Sequence, residues 1–266
     1  MRLLPYAIAM NWIYPLCVIG ALLLGMWIAE QRFQPAEAAR HAYMAAIVGG
    51  FVGARLWQIV VYQDRWTILG GLSLWGALAG ASVGAIIYLS ARGFGVKGLL
   101  AFADAAAPAI ALAGGLVRVG CFAVGCCFGA ASSLPWAVRY GPGTPPYIWQ
   151  VAAGLIPATA SHSAPIHPSQ IYECLAWFLA AAVLLKLGSR KAAESRLCIR
   201  LLPGELFFGL AVYYSVVRFA LDFTRSFPLE SPLATLSSSQ IAAIVFGIAA
   251  LAFLLGRRFR KQLAWA

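Results

Sequence analysis

The sequence has 266 residues, 62% of them hydrophobic and only 11% charged, with a formal net charge of +11. A soluble domain carries about 25% charged residues, so this composition excludes one water-soluble globule and points to lipid as the solvent. The basic surplus invites a nucleic-acid partner, but the placement of the charges along the chain argues against one.

A helix that crosses a hydrocarbon core of about 30 Å needs about 20 mostly apolar residues. In chain order such stretches run over 13–29, 42–62, 68–89, 99 to about 125, 171–187, 206–221 and 241–255. The expected fold is all-α, a polytopic membrane bundle of about seven transmembrane helices forming a single integral domain over 1–266. The first stretch lacks an A-x-A-like cleavage site after a basic segment, so it reads as a retained span rather than a signal peptide. The far end of the fourth is interrupted near Gly125 and has room for a half-helix. Residues 130–166 form a long connection rich in Pro, Gly and Ser, expected to face outward as a lid or peptide-docking segment.

Basic residues alternate between connections. Arg32, Arg40, Arg92, Lys97, Lys186, Arg190, Lys191, Arg196, Arg200, Arg257, Arg258, Arg260 and Lys261 fall on one side; Arg2, Arg65, Arg139 and Arg225 fall on the other. The richer side is cytoplasmic by the positive-inside rule. That orientation places the N-terminus outside and the C-terminus inside, and it makes the net charge a topology signal with some attraction for anionic lipid.

Arg55, Arg118 and Arg218 remain, and all three lie within apolar spans. Arginine at a span centre costs roughly 2.5–3.5 kcal/mol on insertion scales. It therefore faces protein or water and is paired, with Glu173, Asp222 and Asp104 as candidate partners. Two readings stay open: internal salt bridges, or a cavity for an anionic ligand such as a phospholipid head group, whose oxygens suit the guanidinium fork.

Three segments carry more polar detail than packing requires: Gly115-Leu-Val-Arg-Val-Gly-Cys-Phe-Ala-Val-Gly-Cys-Cys-Phe-Gly129, His167-Pro-Ser-Gln-Ile-Tyr-Glu173, and Tyr214-Ser-Val-Val-Arg-Phe-Ala-Leu-Asp-Phe-Thr-Arg225. In this order they resemble the prolipoprotein diacylglyceryl transferase family, over nearly the whole chain. His167 to Glu173 is close to the family's H-P-S-Q-L-Y-E, and Tyr214 to Arg225 fits Y-G-x-x-R-F-x-x-E-F-x-R with Asp222 in the Glu position. Gly53 to Leu56 with Tyr62, Tyr14, Asp104 with Pro108, and Ser238 to Gln240 match smaller landmarks. Against the family's G-R-x-G-N-F-x-N-x-E-x-x-G, Cys121 and Val124 replace the Asn residues and Cys126 replaces the Glu. The family's H-G-G, preceded by G-G-M-S-F, reads here Gly70-Gly-Leu-Ser-Leu-Trp75-Gly76-Ala77, with Trp75 in place of the His.

The resemblance implies transfer of the diacylglyceryl group of phosphatidylglycerol to the thiol of a prolipoprotein signal peptide, in the bacterial inner membrane and without a cofactor. Arg118 and Arg218 would hold the phosphate as charge develops, and His167 is either the general base or a structural residue at the start of a span. Tyr14, Arg55, Tyr214, Asp222 and Arg225 are further candidate lipid contacts, with the two tyrosines equally readable as interface aromatics. Gln170 and Glu173 share a helix face and are expected to orient arginines. Cys121, Cys126 and Cys127 are open to a disulfide, to packing as free thiols, or to a metal or reactive role. Offsets of five and six do not share one helical face, and Gly120, Gly125 and Gly129 suggest a break in the helix. With no C-x-x-C and no second His/Cys cluster, a closed metal site is not expected. Two other functions stay in view: a phospholipid-dependent transferase with another acceptor, and a membrane thiol–disulfide protein using the three cysteines.

Overall fold

In lipid every backbone amide must find its partner inside the protein, and an apolar segment meets that demand locally by becoming a helix. The computed structural model describes residues 4–61, 74–188, 201–225 and 236–263. These form α1 (Leu4–Arg32), α2 (Ala36–Val61), α3 (Leu74–Ala91), α4 (Val96–Val124), α5 (Pro145–Ala152), α6 (Ser169–Leu187), α7 (Glu205–Asp222) and α8 (Ser238–Leu263). Helices α1, α2, α4, α6 and α8 contain stretches long and apolar enough to cross a membrane. The apolar part of α3 is shorter, Gly76–Ala91, since the first residues of the predicted third span lie outside the described part. Helix α7 has 18 residues but carries Glu205, Arg218 and Asp222. Tyr62, Arg65, residues 70–73, Arg190, Lys191, Arg196, Arg200 and Cys198 lie outside the described residues, as does the side chain of Trp75.

The chain divides into two compact units, Leu24–Ala106 with Leu201–Gly204, and Met1–Leu23 with Ala107–Arg200 and Glu205–Ala266. In the first unit α2 and α3 pack through glycines. A Cβ added at Gly49, Gly53, Gly76, Gly80 or Gly84 would run into a backbone carbonyl of the facing helix. Small residues let membrane helices approach this closely where lipid supplies no hydrophobic drive between them. Beside this pair, Phe33 sets its edge against Phe102 at 5.5 Å, among buried Ala42 and Leu89. Asp104, a candidate arginine partner, accepts a hydrogen bond from Gly204 N at 2.6 Å.

Gly80→Val is therefore expected to destabilise the fold, at the roughly 1–3 kcal/mol typical of overpacking. Gly20→Ala, where an added Cβ meets nothing within 4 Å, is the matched helical control. Thermal melting in detergent reads both, and a Gly80→Val protein that melts with the control contradicts the close approach of α2 and α3.

In the second unit, the later part of α4 packs against α6 and α7 through Ala107, Ala111, Ala181, Leu184 and Leu210. An added Cβ at Gly114 or Gly115 would strike the rings of Trp177 or Phe178, so these glycines bring α4 and α6 together. Helices α7 and α8 meet where Phe208 stacks on Phe253 at 3.9 Å, and Arg258 pairs with Glu205 at 2.7 Å. Residues 130–166 carry helix α5 and bridges from Ala131 and Val138 to Ile166. Tyr140 anchors the segment to the end of α4, donating its hydroxyl to the Phe122 carbonyl at 3.0 Å.

Candidate functional site

Arg118 lies on α4, Glu173 in the second turn of α6, Tyr214 and Arg218 on α7, and Arg225 just past its end. They meet at Glu173, which is fully buried. Its Oε1 accepts hydrogen bonds from Arg118 Nη2 at 2.9 Å and from the Tyr214 hydroxyl at 2.8 Å. Its Oε2 accepts one from Arg225 Nη2 at 2.6 Å. The Tyr214 ring stacks on Trp177 at 4.2 Å, which fixes the phenol's aim. Trp177 lies four residues after Glu173, on the same helix face; that offset was the available sequence signal for a residue the motif reading missed.

Arg218 pairs with Asp222 one turn on at 3.0 Å and donates to Ser239 Oγ, also at 3.0 Å. Ser237 Oγ donates to the other oxygen of Asp222. No sequence signal had singled out Ser237. Among the described residues, three guanidinium groups thus face two carboxylates, a surplus of one positive charge. Burial lowers the Arg225 pKa below its ordinary value, and the charges of Arg218 and Arg118 add to that against the opposing pull of Glu173. Arg218 Nη1 and Arg225 Nε are buried and make no hydrogen bond among the described residues. Buried donors left in this state are costly, and an anion is the ligand that would satisfy them.

The other candidates are placed as follows. Among the described residues Gln170 meets no arginine: its amide donates to the Cys126 carbonyl at 2.8 Å, because it stands one turn nearer the start of α6 than Glu173. Tyr14 packs on Gly120, where an added Cβ would come within 3.0 Å of its ring. His167 does not cap α6, since the capping position is Pro168. The His167 ring lies 3.4 Å from the Tyr172 hydroxyl, which in turn accepts from Trp136 Nε1 at 2.7 Å. Arg55 belongs to the other compact unit.

Helix α4 continues through Gly120 and stops at Gly125, whose φ of +79° closes the last turn with a bond from its N–H to the Cys121 carbonyl at 2.9 Å. Of the three glycines proposed to break the helix, Gly120 does not. Cys121 is therefore in the last helical turn and Cys126 and Cys127 in the turn beyond it, with their sulfurs within 4.8 Å of one another. All three carry free thiols.

A family model described as "Prolipoprotein diacylglyceryl transferase" matches residues 3–256. Among similar proteins, the phosphatidylglycerol–prolipoprotein diacylglyceryl transferase of Paenarthrobacter aurescens (strain TC1) is 32% identical over 270 residues, covering 94% of this chain and 80% of its own. The protein of the same name from Clostridium tetani is 31% identical over 231 residues, 82% of this chain and 80% of its own. One from Streptomyces coelicolor is 30% identical over 264 residues, 93% of this chain and 69% of its own.

Proposed function

This chain belongs to the prolipoprotein diacylglyceryl transferase family, and on that premise we propose that it moves the diacylglyceryl group of phosphatidylglycerol onto the lipobox cysteine thiol of a prolipoprotein signal peptide. It is a multi-pass membrane protein. We assign it to the bacterial inner membrane with the N-terminus outside and the C-terminus cytoplasmic, supported by the distribution of basic residues. In that orientation the end of α4, the start of α6 and the end of α7 all lie toward the outer face, with residues 130–166 beyond them.

The observation that carries the proposal is the arginine cluster around Glu173, with its surplus charge and, on Arg218 and Arg225, buried N–H groups that make no hydrogen bond among the described residues. Arg118, Arg218 and Arg225 hold the lipid phosphate. The acceptor sulfur forms a bond to the glycerol carbon that carries the phosphate, the carbon–oxygen bond to phosphate breaks, and glycerol phosphate departs with the electron pair. Guanidinium groups aimed at that phosphate stabilise the negative charge as it builds. The thiol proton passes to His167, whose ring is steadied by Tyr172.

The test is incubation of the purified protein with phosphatidylglycerol vesicles and a lipobox peptide. Mass spectrometry is expected to find the thioether-linked diacylglyceryl peptide, and glycerol phosphate in equal amount. A peptide with the cysteine changed to serine, and vesicles of phosphatidylcholine alone, are the controls. No lipidated cysteine peptide above those controls removes the transferase reading.

A further inference from the structure

Three sulfurs stand beside the arginine cluster, and the phosphate chemistry uses none of them. Cys121, Cys126 and Cys127 come from a helix end and the turn after it, and their Sγ atoms lie within 4.8 Å of one another. Cys127 has a φ of +55°, a left-handed conformation uncommon for a residue with a Cβ and one that gathers at functional sites. The turn is held from outside as well, by the bond from Gln170 Nε2 to the Cys126 carbonyl at 2.8 Å. Arg118 Nη1 approaches Cys121 Sγ at 3.9 Å.

We propose that Cys121, Cys126 and Cys127 form a three-thiolate site for a zinc ion whose fourth position receives the acceptor thiol and holds it as a thiolate. Zinc–sulfur bonds of about 2.3 Å in a tetrahedron set the sulfurs about 3.8 Å apart, so the three thiols need close by only about an ångström. Three protein ligands and one open position is the arrangement of catalytic rather than structural zinc. A thiol that coordinates such an ion is deprotonated outright, and a thiolate is the nucleophile that the transfer requires.

The balance of charge fits. Each sulfur that binds gives up one proton. Zinc with three thiolates then carries one negative charge, and with the acceptor sulfur two. Arg118 Nη1 stands at 3.9 Å from Cys121 Sγ, so a cationic group faces the site. A disulfide would use two of the three sulfurs and leave the third idle, whereas one soft ion uses all three.

This inference rests on the transferase reading above, and the experiment separates the two. Full-length protein, reduced without oxygen and stripped with a chelator, is titrated with cobalt(II) as a spectroscopic stand-in and then with zinc. One cobalt per chain is expected, with sulfur-to-metal charge-transfer absorption and the visible bands of a tetrahedral centre, both lost on adding zinc. Cys121→Ser, Cys126→Ser and Cys127→Ser are each expected to weaken binding by more than roughly tenfold, since even residues that only support metal ligands cost that much. Melting temperatures identify any variant that fails to fold. Adding the lipobox peptide is expected to strengthen the charge-transfer band as a fourth sulfur binds, and the serine peptide to leave it unchanged. Absence of thiolate-to-cobalt absorption, or a spectrum indifferent to both the Cys variants and the peptide, overturns the site. Lipid transfer that survives complete metal removal overturns it too, while leaving the transferase reading intact. A cobalt spectrum that responds to peptide without any lipid transfer supports the site and overturns the transferase reading.

Discussion

Glu173→Ala is expected to cost the protein both its stability and its transfer activity. The carboxylate is fully buried and accepts hydrogen bonds from Arg118 on α4 and from Tyr214 and Arg225 on α7 and just past its end. Its removal leaves two guanidinium groups buried without the anion that offsets them, and breaking a buried pair in this way costs about 3–5 kcal/mol. Glu173→Gln keeps the volume and one acceptor oxygen, so an intermediate melting temperature is expected, with transfer still impaired because Arg225 loses its charged partner. Phosphatidylglycerol should raise the melting temperature of Glu173→Gln more than that of the wild type, since an anion that binds the folded state supplies the missing charge. A Glu173→Ala protein that melts and transfers like the wild type would contradict the central place given to this residue.

Arg118→Ala is expected to lower transfer by roughly 10²–10³-fold, the loss seen when one preorganised donor to a developing anion is removed. If the arginine acts on the departing phosphate, the loss falls mainly on kcat. Arg118 also pairs with Glu173 at 2.9 Å, so melting is followed in parallel to separate a folding defect from a catalytic one. Arg118→Lys keeps the charge but not the planar fork; it should restore the melting temperature and only part of the rate. A rise in KM alone, with kcat unchanged in both variants, would reduce the residue to ground-state lipid binding. Equal activity in Arg118→Ala and the wild type removes its assigned role.

The arginine cluster offered the sequence two readings. Arg118 and Arg218 are each paired with a carboxylate, as the first reading expects, while the anion site stays a proposal, supported among the described residues by buried donors on Arg218 and Arg225 that make no hydrogen bond. Glu173 was legible as a partner for an arginine because it is one of few acidic residues in an apolar setting. That it would serve Arg118, Arg225 and Tyr214 together was not. Gln170 shares its helix face and was given the same task, but one turn along the helix its amide donates to the Cys126 carbonyl. Offsets of five and six set the three cysteines on different faces only while the chain stays helical, and the turn at Gly125 brings them together.

The sequence alone determined the long apolar helices, their order and the presence of charge where lipid forbids it, but not the short α5 within 130–166. A helix in lipid forms to satisfy its own backbone, and both length and hydropathy can be read within one segment. Only the tertiary structure decided which charges meet, and that three sulfurs gather beside them. The groups that reach Glu173 lie 55, 52 and 41 positions away along the chain. Their choice is made by how α4, α6 and α7 pack, which no single stretch of sequence contains.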